Sequence, residues 1–200
     1  MMKRLVTLLL FAAAATTVAV AQDADADRLR AEIIAAGEKI AAIDCDFVQT
    51  RESAFLAEKA VSSGHMTYRK PGYLVWKYTD PFPLTFSMDG QTVTLEREGR
   101  TESLDGSQGR LVKEMVRMII GNIEGSVFRN EKVFTADLQR LDGAIVATLH
   151  PQNKEVRKLW SKLILVYDAR TLQVLRFEMI EPSGDLTDIT FNHVKYDLSE

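Results

Sequence analysis

The sequence has one cysteine and three histidines in 200 residues, which limits the chemistry that it can support. Cys45 has no partner for an internal disulfide bond, so we interpret it as a half-buried structural thiol. His65, His150 and His193 lie far apart along the chain, and none has the spacing of a metal-ligand pair. The sequence therefore predicts neither a disulfide framework nor a bound metal.

Motifs for catalysis and for cofactor binding are also missing. The chain has no G-x-S-x-G or His-Glu-x-x-His motif, and none of its glycines opens the strand-to-helix loop that binds phosphate. Cys45 and His65 could form a nucleophile and base if the fold brought them together. We expect no enzyme and no cofactor, with a hydrolase on a curled sheet as an alternative from a different class.

An excess of positive charge is lacking as well. Lysine and arginine number 25 against 28 aspartate and glutamate, and the formal charge is −3. Residues 1–21 carry two basic side chains and no acidic one, so their removal would change this charge to −5. A mildly acidic domain has no basic field to attract nucleic acid, and we expect no nucleic-acid partner.

The one long apolar run lies at the N terminus. Lys3 and Arg4 precede an apolar segment from Leu5 to Ala15, and small residues follow at Ala19-Val20-Ala21. This order is typical of a secretory signal peptide cleaved before Gln22, with a retained membrane anchor as the alternative. Cys45 is too far downstream to be the acylated cysteine of a lipoprotein. We predict a signal peptide over 1–21 and one soluble exported domain over 22–200, located in the periplasm.

Alternation of apolar and polar residues dominates the rest of the chain. The pattern predicts about eleven strands joined by short turns such as Asp89-Gly90, and two amphipathic helices over 28–43 and 108–121. Short connections favour an antiparallel meander, and a sheet of this width is expected to curl. The predicted fold class is mainly β: a curled antiparallel sheet that forms an incomplete barrel covered by a helical lid.

The stretch from Gly64 to Pro83 is the most informative, because two strands with apolar faces flank Lys70-Pro71-Gly72. If the apolar faces of three successive strands and of the second helix meet, they line one lipid-binding cavity. A buried chain of about a dozen methylenes would gain on the order of 10 kcal/mol. Alternatively, the helices simply fill this space as a core. The predicted cavity residues are Met66, Tyr68, Leu74, Trp76, Tyr78, Leu84, Phe86, Met88, Leu111, Met115, Met118 and Ile119.

Several motifs of this region match one known family. They are Phe47-Val48-Gln49, Gly64, the run Arg69-Lys70-Pro71-Gly72-Tyr73-Leu74-Val75-Trp76-Lys77-Tyr78, Pro81, and Met88-Asp89-Gly90-Gln91-Thr92-Val93. In these features the chain resembles the periplasmic outer-membrane lipoprotein carriers of the LolA family. The clear match covers roughly residues 28 to 95, and the remainder agrees in layout.

The resemblance implies a function without catalysis. A monomeric carrier would receive lipoproteins from an inner-membrane ABC-type release complex, bind their acyl chains, and deliver them to an outer-membrane acceptor. A protein of the same fold that binds or senses another acylated molecule is the alternative. The family has an arginine before the proline that hydrogen-bonds the closed lid; here Lys70 occupies that position and Arg69 precedes it. Lysine lacks the guanidinium fork, so we expect a less specific latch.

Overall fold

The computed structural model describes residues 24–55, 59–90, 92–104 and 106–199, without the side chains of residues 107, 108 and 111. The predicted signal peptide lies outside these ranges. Within them, no helix has both the length and the apolar character needed to cross a membrane.

Eleven strands form a single antiparallel sheet. In the spatial order β6-β5-β4-β3-β2-β1-β11-β10-β9-β8-β7, the first and last strands of the chain are neighbours at the centre. Strands β6 and β7 are the two edges, so the sheet is not closed into a barrel. The predicted incomplete barrel is thus confirmed. The strands are β1 (Ile40–Glu52), β2 (Lys59–Arg69), β3 (Tyr73–Asp80), β4 (Leu84–Asp89), β5 (Thr92–Arg97), β6 (Arg100–Ser103), β7 (Phe134–Leu141), β8 (Ala144–Pro151), β9 (Lys162–Asp168), β10 (Val174–Ile180) and β11 (Leu186–Leu198).

In the described part of the chain, three α-helices accompany the sheet: α1 over residues 24–38, α2 (Gly106–Ile123) and the short α3 (Lys154–Leu159). A 3-10 turn, Ser126–Arg129, follows α2. The prediction that the first helix continues to residue 43 was wrong, because Ile40 already pairs with Leu198 of β11. Tertiary pairing therefore overrides an apolar spacing that also suits a helix.

Helix α3 was not predicted from the sequence. Its signal is Asn153, whose side-chain oxygen accepts a hydrogen bond from the backbone N–H of Glu155 at 2.8 Å. Asparagine is a preferred N-cap residue, but the charged run that follows it hides the short helix.

The core lies between the concave face of the sheet and the helices. Leu29 and Ile33 of α1 and Ile119 and Ile123 of α2 are buried against it. On the sheet, Phe47 and Trp76 stack with ring centroids 4.3 Å apart. One face of each strand thus supplies the core, as the alternation of the sequence requires.

Helices α1 and α2 meet closely at their C-terminal ends. A Cβ atom on Gly37 would lie 2.2 Å from the carbonyl oxygen of Glu124, and one on Gly125 would lie 3.0 Å from the Cα of Ile34. The two backbones therefore touch where glycine leaves room for them. This contact fixes the C-terminal end of α2 against α1.

Candidate functional site

A cavity of about 90 Å³ lies between the central part of α2, residues 112–119, and the concave face of the sheet. Strands β1, β3, β4, β10 and β11 supply its floor, and none of the described residues that line it is charged. Met115 is 39% exposed and lies at its rim. The lining residues are Gln49, Leu74, Trp76, Tyr78, Phe86, Val112, Met115, Val116, Ile119, Met179 and Ile189.

Six of the predicted cavity residues lie around this one space: Leu74, Trp76, Tyr78, Phe86, Met115 and Ile119. They come from β3, β4 and α2, whose apolar faces converge as the alternation indicated. Their assignment to lipid binding stays a prediction.

The other predicted cavity residues line neighbouring spaces. Leu84 joins Tyr78 in an open depression of about 310 Å³ at the end of β3. Tyr68 and Met88 face a wide groove of about 620 Å³ at the opposite end of the sheet. Met66 borders a small interior void, and Met118 lies on the far side of α2. The side chain of Leu111 lies outside the described residues.

Sequence reasoning missed part of the cavity wall. Met179 and Ile189 come from β10 and β11, far along the chain from the recognisable motifs. Their positions follow from the β1–β11 pairing, which alternation within one strand does not indicate. Gln49 could have been predicted from the sequence, because it ends the Phe-x-Gln motif. A polar residue on the core-facing side of a strand is an exception to the usual burial of apolar residues there, and it is therefore informative.

The cavity wall contains three polar groups near one another. The hydroxyl of Tyr78 donates to Oε1 of Gln49 at 3.0 Å. Burial raises the pKa of this hydroxyl, and its neighbours Trp76 and Gln49 partly offset the effect. The side chain of Trp76 is a neighbour of this hydroxyl, and its indole Nε1 is buried without a hydrogen-bond partner among the described residues.

Two buried tyrosines attach the C-terminal end of α2 to the sheet. The hydroxyl of Tyr68 on β2 donates to Oε1 of Glu124, and the hydroxyl of Tyr167 on β9 donates to the carbonyl oxygen of Asn122 at 3.2 Å. Burial raises the pKa of both hydroxyls, so they remain donors at neutral pH. At the cavity, by contrast, α2 presents Val112, Met115 and other apolar side chains. The central part and the C-terminal end of the helix are therefore attached differently.

Among the described residues, Lys70 hydrogen-bonds α1 and not α2. Its Nζ donates to the carbonyl oxygens of Gly37 at 3.3 Å and Glu38 at 2.8 Å, at the C-terminal end of the helix. A cation there satisfies free carbonyl groups and complements the helix dipole. Arg69 is exposed on the alternate face of the strand. The role of Lys70 and Arg69 as a lid latch stays a prediction.

The structure does not bring Cys45 and His65 together as a catalytic pair. Cys45 is buried on the core face of β1, where burial raises the pKa of its thiol to about 12. His65 lies on the opposite, convex face of β2, between Asp44 and Asp46. Among the described residues, no cluster of histidine, cysteine and carboxylate side chains suits a metal ion.

His65 is the centre of a charged cluster on the convex face. Its Nδ1 lies 2.9 Å from Asp46 and its Nε2 lies 2.9 Å from Asp44. Asp46 also accepts from His193, while Thr67 and Lys195 face Asp44. Hydrogen bonds to Asp46 and then to Asp44 raise the pKa of His65, and the same contacts lower the pKa of both carboxyl groups.

We expect this cluster to make stability depend on pH. The contribution of His65 is fully present below its unfolded pKa of 6.5 and is lost as the pH rises through its higher folded pKa. The aspartates contribute above 3.8 and lose this contribution as the pH falls through their lowered folded pKa. The difference in free energy of unfolding between wild type and His65→Gln, measured with urea, should therefore be larger at about pH 5.5 than at about pH 8.5. If this difference kept its pH dependence in an Asp44→Asn, Asp46→Asn background, the result would contradict this account.

Asn122 supports a second stability prediction. It is 2% exposed, and neither atom of its side-chain amide has a hydrogen-bond partner among the described residues. Because an unsatisfied buried amide is costly, Asn122→Leu should raise the free energy of unfolding by about 1 kcal/mol in urea titrations. Asn153→Leu is the matched control, since loss of the α3 N-cap should lower that energy by about 1 kcal/mol. A destabilised Asn122→Leu variant would mean that the amide is satisfied.

Comparison with solved structures finds several distant similarities. The crystal structure of the Mycobacterium tuberculosis lipoprotein LppX aligns with 15% identity over 85% of this chain and 95% of that one, with a TM-score of 0.48. A LolA superfamily protein from Nitrosomonas europaea aligns with 11% identity over 83% of this chain and 92% of that one, with a TM-score of 0.43. The MucA/MucB complex of Pseudomonas aeruginosa aligns with 13% identity over 88% of this chain and 58% of that one, with a TM-score of 0.47.

Sequence comparison is more specific. No curated protein matches the chain. The family model described as outer membrane lipoprotein carrier protein LolA matches residues 38–199, which include every strand from β1 to β11, the described cavity wall and α2. The chain therefore belongs to the LolA family of outer membrane lipoprotein carrier proteins.

Proposed function

We propose that this protein is a periplasmic carrier that binds the acyl chains of lipoproteins between α2 and the sheet and transports them from the inner to the outer membrane. The single observation that supports this proposal is the uncharged cavity under α2, in a chain of the LolA family. The domain from residue 22 to residue 200 would act without catalysis and without a cofactor. Its partners would be an inner-membrane ABC-type release complex and an outer-membrane acceptor.

The volume of the cavity implies that α2 moves during binding. Ligand pockets commonly measure about 300–1,000 Å³, whereas this cavity measures about 90 Å³. An acyl chain therefore fits only if the cavity-lining part of α2 moves away from β3 and β4. The contacts of Tyr68, Tyr167 and Gly37 with the C-terminal end of the helix make that end the natural pivot. The proposed movement resembles the closure of other ligand-binding lids.

Methionine suits a surface that must contact both a closed lid and a cargo. Met115 and Met179 lie on opposite sides of the cavity, one on α2 and one on β10. Unbranched thioether side chains adapt to changing volumes better than branched ones. In the proposed cycle, Met115 and Met179 pack against the opposite wall of the cavity when it is closed. When it is open, they pack against the acyl chain.

Native mass spectrometry of protein purified from the bacterial envelope tests the proposal. We expect a fraction of the protein to carry triacylated lipoprotein, and detergent-free transfer of that lipoprotein to outer-membrane vesicles. Co-purified glycolipid or another acylated molecule in place of lipoprotein would favour the alternative binding or sensing role. Protein that carries no lipid, and that takes none from lipoprotein-loaded inner-membrane vesicles, would contradict both.

A further inference from the structure

The cavity under α2 is not uniformly apolar. Trp76, Tyr78 and Gln49 are neighbours in its wall, and their side chains carry an indole N–H, a hydroxyl and an amide. Trp76 is 4% exposed, and its Nε1 has no hydrogen-bond partner among the described residues. A buried indole N–H normally has a partner, so a phenylalanine would be the better residue if packing were the only requirement.

The neighbouring polar groups leave a second donor at the same place. Since the Tyr78 hydroxyl donates to Oε1 of Gln49, the other end of that amide is its NH₂ group. The indole and the amide are both donors, and the tryptophan cannot accept a hydrogen bond. The matching group on a ligand is therefore an acceptor oxygen.

The charge of the cavity selects among acceptor oxygens. None of the described lining residues carries a charge. A carboxylate or phosphate placed there would be desolvated without a compensating cation, which is strongly unfavourable. A neutral carbonyl oxygen avoids this cost and still satisfies the indole N–H.

We propose that Trp76 Nε1, assisted by the amide of Gln49, binds the carbonyl oxygen of a neutral acyl ester or amide. This inference rests on the proposed acyl-chain binding and adds the chemistry that distinguishes an acyl ester or amide from a free fatty acid or plain hydrocarbon. It also gives the ligand an orientation. Tyr78 lines both the cavity and the open depression beside Pro81 and Phe82, so the head group exits there and the chain extends under α2.

A competition between two matched lipids tests this assignment. Methyl palmitate has a carbonyl group, and hexadecyl methyl ether has the same chain and oxygen without it. Offered as an equimolar mixture to wild-type protein, the ester should be bound up to about fivefold more than the ether in native mass spectra, because an ether oxygen is the weaker acceptor and a full neutral hydrogen bond is worth about that factor. Palmitate at neutral pH should bind more weakly than its methyl ester.

Two replacements of Trp76 should abolish the preference. Trp76→Phe removes the N–H, and benzothienylalanine at the same position keeps the bicyclic shape but replaces the N–H with sulfur. Both should bring the ester-to-ether ratio close to one, while chain binding remains. Trp160→Phe is the control, because Trp160 is buried at the C-cap of α3 and does not line the cavity, and it should keep the wild-type ratio.

The outcomes separate this inference from the proposed function. Equal binding of ester and ether by wild type, or a preference that survives both replacements, would overturn the carbonyl assignment and leave the carrier proposal intact. Failure to bind either lipid would overturn the carrier proposal itself. Preference for a tripalmitoyl-cysteine peptide over dipalmitoyl-phosphatidylethanolamine would support lipoprotein as the source of the carbonyl, and the reverse preference would contradict it.

Discussion

Gly64→Ala is expected to lower the free energy of unfolding by about 3 kcal/mol, at the upper end of the cost of overpacking. A Cβ atom on Gly64 would lie 2.0 Å from the carbonyl oxygen of Lys77 and 2.8 Å from Cζ of Phe47. The first contact is with the backbone of the neighbouring strand β3, which cannot move without breaking its pairing. The second displaces the ring that stacks on Trp76 and with it the floor of the cavity.

Urea unfolding of Gly64→Ala, compared with that of Gly121→Ala, tests whether the loss of stability is specific to residue 64. Gly121 lies in α2, where an added Cβ would meet the movable hydroxyl of Ser126 at 3.3 Å and, outside the helix, no backbone atom closer than 3.9 Å. Because alanine is the better helix former, Gly121→Ala should be neutral or stabilising by up to about 1 kcal/mol. A Gly64→Ala protein as stable as wild type would mean that β2 and β3 can separate locally at this position.

Met115→Glu is expected to reduce the affinity for acylated cargo by more than about 100-fold while the protein stays folded. Met115 is 39% exposed in the closed form, so a glutamate there can reach water and should change stability by less than about 1 kcal/mol. With an acyl chain in the cavity, the same carboxylate would be buried against hydrocarbon at a cost of several kcal/mol. Binding and thermal unfolding measured on the same samples separate the two effects.

Leu175→Glu is a matched control for Met115→Glu. Leu175 is 41% exposed on β10 but does not line the cavity, so the same charge at similar exposure should leave cargo affinity unchanged. Met115→Leu should keep near-wild-type affinity. Equal loss of affinity in the two glutamate variants would point to net charge and not to the cavity. Leu74 is a poorer choice for such a test, because it is 1% exposed and a charge there would also disrupt folding.

Much of the fold could be predicted from local pattern because each strand faces a core on one side only. Alternation located the strands, and turn residues such as Asp89-Gly90 located the hairpins. The end of α1 could not be predicted, since Ile40 and Ile43 suit a helix and a strand equally well. Their pairing with β11, more than a hundred residues away in the sequence, decides the outcome.

The cavity could be predicted only in part for the same physical reason. The cavity residues of β3, β4 and α2 could be predicted from the sequence, because alternation and helical spacing indicate which faces are apolar. That reasoning does not specify how far a face extends under α2, and so Met66, Tyr68 and Met88 were grouped with residues that line a different space. The unpaired Trp76 N–H is a property of three-dimensional packing, and no sequence pattern encodes it.

The central position of β1 and β11 has a consequence for how the chain acquires its structure. Strands β1 to β6 and β7 to β11 are each joined to the next strand by a short or helical connection, whereas the β1–β11 pair joins the two ends of the chain. Such a long-range pairing forms late and slowly. In the proposed export through a translocation channel, the emerging β1 would lack its partner until β11 had crossed, so the sheet would be completed only after the whole domain had left the channel.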